Sequence, residues 1–178
     1  MIEGSAEGLL GVDDPETRFT ALYDRYYRSV LGYALLRAER QAAEDVVSET
    51  FLVAWRRLEQ VPERPLPWLL GVARNLLRKH HDRRRQWATS AERLAVLAQE
   101  GDVADQVSER RAALEALATL PEHEAEAVIL ASWYGLGPAE AAEVAGCSAR
   151  AFTVRLHRAR RRLADALNLA RTTLQEQR

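Results

Sequence analysis

The stretch GPAEAAEVAGCSARAFTVRLHRARRRL, Gly137 to Leu163, reads as two helices separated by a turn. Gly137-Pro138 opens a short helix, since proline in the first turn gives up no needed amide donor, and Gly146 ends it after Ala145. Ser148 then caps a longer helix that runs to about Leu169. The turn is Ala145-Gly146-Cys147-Ser148. A short and a long helix joined by a glycine-containing turn of this length form the helix-turn-helix unit, whose second helix enters the major groove of DNA. On the second helix Ala151, Phe152, Leu156, Ala159 and Leu163 fall on one side, and Arg150, Thr153, Val154, His157, Arg158 and Arg161 on the other. Short side chains inside a ring of arginines suit base reading flanked by phosphate contacts.

Outward from this unit the helical periodicity continues. Leu114, Leu117 and Leu120 mark one helix, and Pro121 opens another with Ala125, Val128, Ile129 and Trp133 on its apolar face and Gly135 as its stop. Upstream, Gln86 to Val107 loses the pattern and reads as a linker, with only a short helix around Leu94 and Leu97. Before it, Phe19, Leu22, Tyr23, Tyr26, Val30 and Tyr33 define one amphipathic helix, and Ala43, Val46, Val47, Thr50, Phe51, Ala54, Trp55 and Leu58 a second. A loop from Val61 to Leu66 carries Pro62 and Pro65, and Pro67 suits the first turn of a third helix that buries Trp68, Leu69, Val72, Ala73, Leu76 and Leu77. No strand signal of any length appears. The expected fold is all-α, two small helical modules joined by a flexible linker, the second a helix-turn-helix. The expected divisions are a flexible tail at 1–15, a module at 16–86, the linker at 87–107, a module at 108–170 and a tail at 171–178.

Composition removes several function classes. Of 178 residues 47% are hydrophobic and 29% charged, and no apolar run approaches the roughly 18 residues of a membrane span. The amino terminus is acidic and glycine-rich, without the basic flank of a leader, so a cytoplasmic protein without membrane insertion is expected. Cys147 is the single cysteine and reads as a buried filler near the turn. His80-His81, His123 and His157 form no spaced metal set, and neither a phosphate loop nor a nucleophile motif occurs. No enzyme, cofactor or metal is therefore expected. The net charge of -1 hides an uneven distribution. Arg74 to Arg85 holds six basic residues and one acid, Arg150 to Arg162 six arginines and no acid, and Glu92 to Glu126 nine acids against three arginines. Two basic stripes, each closing an apolar helix, are the footprint of nucleic-acid contact.

Ala43-Glu44-Asp45-Val46-Val47-Ser48-Glu49-Thr50-Phe51-Leu52-Val53-Ala54-Trp55-Arg56 resembles the most characteristic helix of the bacterial sigma-factor family, the one that docks on core RNA polymerase. Phe19 to Tyr33 resembles the helix before it, Pro67 to Asn75 the helix that meets the −10 element, and Ile129 to Leu163 the reader of the −35 element. The lack of other sigma modules between them points to the extracytoplasmic-function group of the sigma-70-type family. The resemblance implies promoter-specific initiation of transcription, in which the first module reads and melts the −10 element. Core binding falls on Asp45, Ser48, Glu49 and Leu52, which would meet the clamp helices of the largest subunit. Asp45 and Glu49 are four apart and share a helix face distinct from that of Val47, Phe51, Ala54 and Trp55.

Contact with the −10 element falls on Arg64, Trp68, Arg74, Asn75, Arg78 and Lys79, and the loop Val61 to Leu66 lies where the family holds an unstacked base. Contact with the −35 element falls on Ser148, Arg150, Thr153, Val154, His157, Arg158 and Arg161. Implied partners are core RNA polymerase, including the flap of its second subunit, promoter DNA and an anti-sigma factor. The linker would thread toward the polymerase active centre. Three positions depart from the family pattern: Lys79 where many members have an acid, Arg150 where a small residue is usual, and Val154 where a polar base reader is common. A free-standing helix-turn-helix transcription regulator remains the alternative, and it predicts DNA binding without polymerase.

Overall fold

In the computed structural model the described residues are 14–80 and 115–176, with side chains described for 14–79 and 115–168. Helix α1 spans Pro15–Leu35. Its start is fixed by Asp14, whose Oδ2 accepts from the Thr17 amide at 3.0 Å, with Pro15 in the first turn and Glu16 beside the positive helix end. Helix α2, Arg40–Arg56, follows a tight turn and carries an Arg40–Glu44 pair one helical turn apart. A 3-10 turn at Leu58–Gln60 leads to α3, Pro65–His80.

Helix α3 starts two residues before the sequence pattern predicts. Pro65, not Pro67, sits at its first position, and the loop is correspondingly shorter. Both prolines fit a first turn, whose amides lack intrahelical partners in any case. Helices α1, α2 and α3 pack on one another around Val30, Val46, Val47, Phe51, Leu69 and Leu70.

In the second half residues 115–118 are helical and lead to α4, Glu122–Val128, after Pro121. The expected continuous helix to Trp133 instead widens at Ile129–Trp133 into a π turn, in which the Tyr134 amide reaches the Ile129 carbonyl at 3.1 Å. The extra residue rotates the register. Trp133, expected on the apolar face, is therefore exposed, whereas Tyr134 turns inward and its hydroxyl donates to the Ser29 carbonyl on α1 at 2.8 Å. Gly135 stops the helix with φ of 61°.

Helix α5, Pro138–Ala145, ends at Gly146, and α6, Ala149–Glu176, begins with the Ser148 hydroxyl accepting from the Ala151 amide at 3.2 Å. Both ends of this turn are as the sequence predicts. Helix α6 runs past Leu169 because no glycine or proline follows to stop it. The described residues contain no strand. The stretch read as the linker and residues 1–13 lie outside the described residues, while α1 begins inside the stretch read as the amino-terminal tail, at Pro15, and the stretch read as the carboxy-terminal tail is helical through Glu176.

The two helical sets share one buried apolar cluster, from Leu22 on α1 to Ala159 on α6. Helix α5 lies against α3, which brings the helix-turn-helix turn onto the first set of helices. A Cβ added at Gly146, whose φ is 62°, would come within 3.1 Å of Arg74 Nη1. Gly146→Ala is therefore expected to lower stability by about 1–2 kcal/mol, through the left-handed backbone alone, with the Arg74 contact adding to the loss. The midpoint of urea unfolding measures it.

Candidate functional site

Asp45, Ser48, Glu49 and Leu52 form an exposed stripe on α2. Val46, Val47, Thr50, Phe51 and Ala54 are buried on the opposite side, so the division of α2 into an outward acidic face and an inward apolar face holds. The Ser48 hydroxyl donates to the Glu44 carbonyl at 2.9 Å and keeps its acceptor lone pairs outward. Trp55, expected in the core, is 43% exposed and packs edge-on against Phe19 at 5.1 Å. Tyr23 likewise lies at the surface, against Phe51 at 4.8 Å. Together they line an open groove of about 630 Å³ beside Ser48 and Leu52. Sequence reasoning missed this groove. Its signal was aromatic residues at helical spacing, Phe19, Tyr23 and Tyr27, facing Phe51 and Trp55, more aromatic surface than two short helices can cover.

The six residues assigned to the −10 element separate into two groups. Asn75, Arg78 and Lys79 are exposed on α3, and Trp68 is half-buried at its start. Arg64 is exposed but pairs with Glu140 on α5 at 2.5 Å. Arg74 is half-buried, with its Nε 3.0 Å from the Glu126 carboxylate on α4. Two guanidinium groups of the expected DNA track thus face carboxylates of the helix-turn-helix half.

Glu126 is the centre of a buried polar cluster. Its Oε1 accepts from the Tyr33 hydroxyl at 2.8 Å and lies 2.6 Å from Arg37 Nη2 and 3.0 Å from Arg74 Nε. Arg37 also donates to the Tyr33 hydroxyl and stands over the Tyr33 ring. Burial alone would raise the Glu126 carboxyl, but Arg37 and Arg74 outweigh it and hold it below the usual carboxylate range. Burial pushes the Tyr33 phenol well above its usual range, so it stays protonated and donates. The sequence signal for Glu126 and Arg37 was slight: a charge in an otherwise apolar window, Ala125 to Leu130 and Tyr33 to Leu36.

On α6 the expected division holds, with Ala151 and Leu163 half-buried at its edge. Phe152, Leu156 and Ala159 are buried, while Ser148, Arg150, Thr153, Val154, His157, Arg158 and Arg161 are all exposed. Val154 is an apolar side chain at 44% exposure in the middle of a basic face. Arg162 is not part of that face. It reaches the buried Glu124 of α4 at 3.3 Å, an ion contact that ties the reading helix to its support. Among the described residues no group of His, Cys, Asp and Glu could hold a metal, and no helix is long and apolar enough to cross a membrane.

Two family patterns match this chain, Sigma-70 region 2 at residues 22–88 and Sigma-70, region 4 at residues 110–163. The chain belongs to the sigma-70-type sigma factors, in their extracytoplasmic-function group. The Mycobacterium tuberculosis ECF RNA polymerase sigma factor SigL is 35% identical over 165 residues, 88% of each chain. A probable RNA polymerase sigma factor of Xanthomonas campestris, RfaY, is 37% identical over 129 residues, and the chain spans 32% of that relative's length. The fold matches that of the sigma factor RpoE from Bartonella quintana, solved in complex with the anti-sigma factor NepR, with a TM-score of 0.65 and 24% identity over 84% of this chain and 96% of that one. In this sigma factor the region 2 match spans α1, α2 and α3, and the region 4 match spans α4, α5 and the basic part of α6.

The Glu126 carboxyl titrates lower when folded than when unfolded, so the unfolded chain binds the extra proton as pH falls. Its stabilisation is complete above the ordinary glutamate value of about 4.3 and is lost as pH drops through the lowered folded value. Glu126→Gln, which leaves Arg37 and Arg74 facing an uncharged amide, is expected to destabilise the docked form by about 3–5 kcal/mol near neutral pH. In thermal melts across the acid range, the gap between parent and variant should narrow as pH falls below that value.

Proposed function

We propose that this sigma factor binds core RNA polymerase and directs promoter-specific initiation, the first module reading and melting the −10 element and the helix-turn-helix reading the −35 element. The observation that carries the reading is the exposed acidic and polar stripe of α2, Asp45, Ser48, Glu49 and Leu52, on the same chain as the exposed basic face of α6. An acidic face beside apolar Leu52 fits a basic partner surface, here the clamp helices of the largest polymerase subunit. The second module would meet the flap of the second subunit. The neighbouring aromatic groove extends the docking face with surface that favours an apolar or helical partner element.

Promoter contacts follow from side-chain chemistry. Arg64, Trp68, Arg74, Asn75, Arg78 and Lys79 supply cations and a stacking face for an opened strand, and the loop beneath Val61 receives an unstacked base. On α6, Arg150, Arg158 and Arg161 suit phosphates, while Ser148, Thr153, Val154 and His157 face base edges. Val154 offers no hydrogen bond, and a thymine methyl is the group it would contact. An anti-sigma factor is the expected restraint, as with the Bartonella quintana protein solved in complex with one.

Transcription of a genomic fragment library by bacterial core polymerase, with and without this protein, tests the reading. New start sites preceded by two spaced motifs are expected. DNA binding without new starts would favour a free-standing regulator. Charge reversal at Asp45 and Glu49 to lysine is expected to weaken core binding by at least about tenfold, roughly 1.4 kcal/mol, in a titration with labelled core. Val154→Ser should change preference at one upstream position in a binding selection, and unchanged preference everywhere would remove the thymine contact.

A further inference from the structure

Arg74 and Arg64, two cations of the proposed single-strand track on α3 and its loop, are held by carboxylates of the second module. Arg74 lies 3.0 Å from Glu126 and Arg64 lies 2.5 Å from Glu140. Glu126 is 3% exposed and also takes Tyr33 of α1 and Arg37 of the turn that follows it. Arg74 Nη1 abuts Gly146 at the helix-turn-helix turn, and Tyr134 donates to the Ser29 carbonyl. Helix α5 therefore packs on the side of α3 from which the Arg74 guanidinium projects, while Arg64, in the loop before α3, stays largely exposed at the rim. A carboxylate on a guanidinium and a phosphate on a guanidinium are equivalent contacts, and one side chain does not make both at full strength.

We infer that Glu126, with Glu140 at the rim, is an intramolecular latch whose carboxylates occupy the places of promoter-strand phosphates on Arg74 and Arg64, so that module docking and single-strand binding exclude each other. The inference rests on the sigma-factor reading of α3 and adds to it a closed state built into the chain. Opening costs the closed form its charge balance, since Glu126 and Arg37 lose each other across the interface. Nucleic acid repays part of that loss through the freed arginines. The closed fraction reduces the apparent affinity for single-stranded DNA in proportion to the open population.

The test compares the full-length parent, Glu126→Gln and Glu143→Gln. Glu143 is exposed on α5, is not part of the proposed binding face, and its substitution removes one charge without touching the cluster. Small-angle scattering reads opening, and fluorescence anisotropy with a 20-nucleotide mixed-sequence single strand reads access to α3. Glu126→Gln is expected to enlarge the radius of gyration and to tighten oligonucleotide binding by at least about tenfold, with Glu143→Gln unchanged in both. An unchanged radius, unchanged binding, or an equal gain from Glu143→Gln overturns the latch.

Should Glu126→Gln fail to fold, the variant Arg64→Cys, Glu140→Cys, Cys147→Ser, joined by a cleavable bis-maleimide, holds the modules together with Glu126 intact. Its oligonucleotide affinity is expected to rise about tenfold on cleavage of the linker, and equal affinity before and after overturns the proposal. Start-site mapping with core polymerase runs beside both arms. Absence of starts from every protein, with the scattering and binding results as expected, removes the sigma-factor reading and leaves the docking intact.

Discussion

One carboxylate oxygen, Glu126 Oε1, accepts a phenol and faces two guanidinium groups inside the molecule. A charge taken out of water is tolerated only where its partners are close and well oriented, and here every partner comes from the other half of the chain. Tyr33 and Arg37 lie at the end of α1 and Arg74 on α3, whereas Glu126 lies on α4. Separation of the halves therefore costs ion pairs as well as apolar contact. The same atoms fix orientation, since Arg74 spans from Glu126 to the Gly146 turn and sets α5 against α3.

What could be read from the sequence follows from the range of the interactions involved. Gly146 and Ser148 act on residues within three or four positions, and the two ends of their turn are where the sequence puts them, whereas Asp14, read as tail, caps α1 over the same short range. The buried face of α6 follows from helical period alone, and so does the outward set from Ser148 to Arg161. Glu126 meets Tyr33 across 93 positions, and no local pattern encodes such a pairing. Charge counting puts Glu126 only at the end of an acidic stretch, because composition cannot say which acid of a run turns inward.

The remaining departures have local causes of a different kind. Both Pro65 and Pro67 satisfy the rule for a first turn, so the rule could not choose between them. The π turn at Ile129–Trp133 leaves no signature in residue type, yet it decides that Trp133 faces out and Tyr134 reaches Ser29. Trp55 and Tyr23 satisfy the apolar period of their helices, but a three-helix set has too little interior for all its aromatics, and the surplus lines the groove on α2.

The two basic stripes, alike in sequence, are unlike in the folded chain. The stripe on α6 is mostly outward, with Arg155 half-buried and Arg162, largely exposed, reaching Glu124. The stripe on α3 is divided, with Arg78 and Lys79 outward and Arg74 inward. On the proposed reading, docking leaves the outward face of α6 ready for a duplex while it withholds Arg74 of α3 from a single strand. Contact through the exposed face of α6 needs no rearrangement of the Glu126 cluster, whereas a strand that claimed Arg74 or Arg64 would have to displace a carboxylate from it. On the proposed reading α6 can engage a duplex first, and α3 gains Arg74 and Arg64 for a single strand only as the halves part.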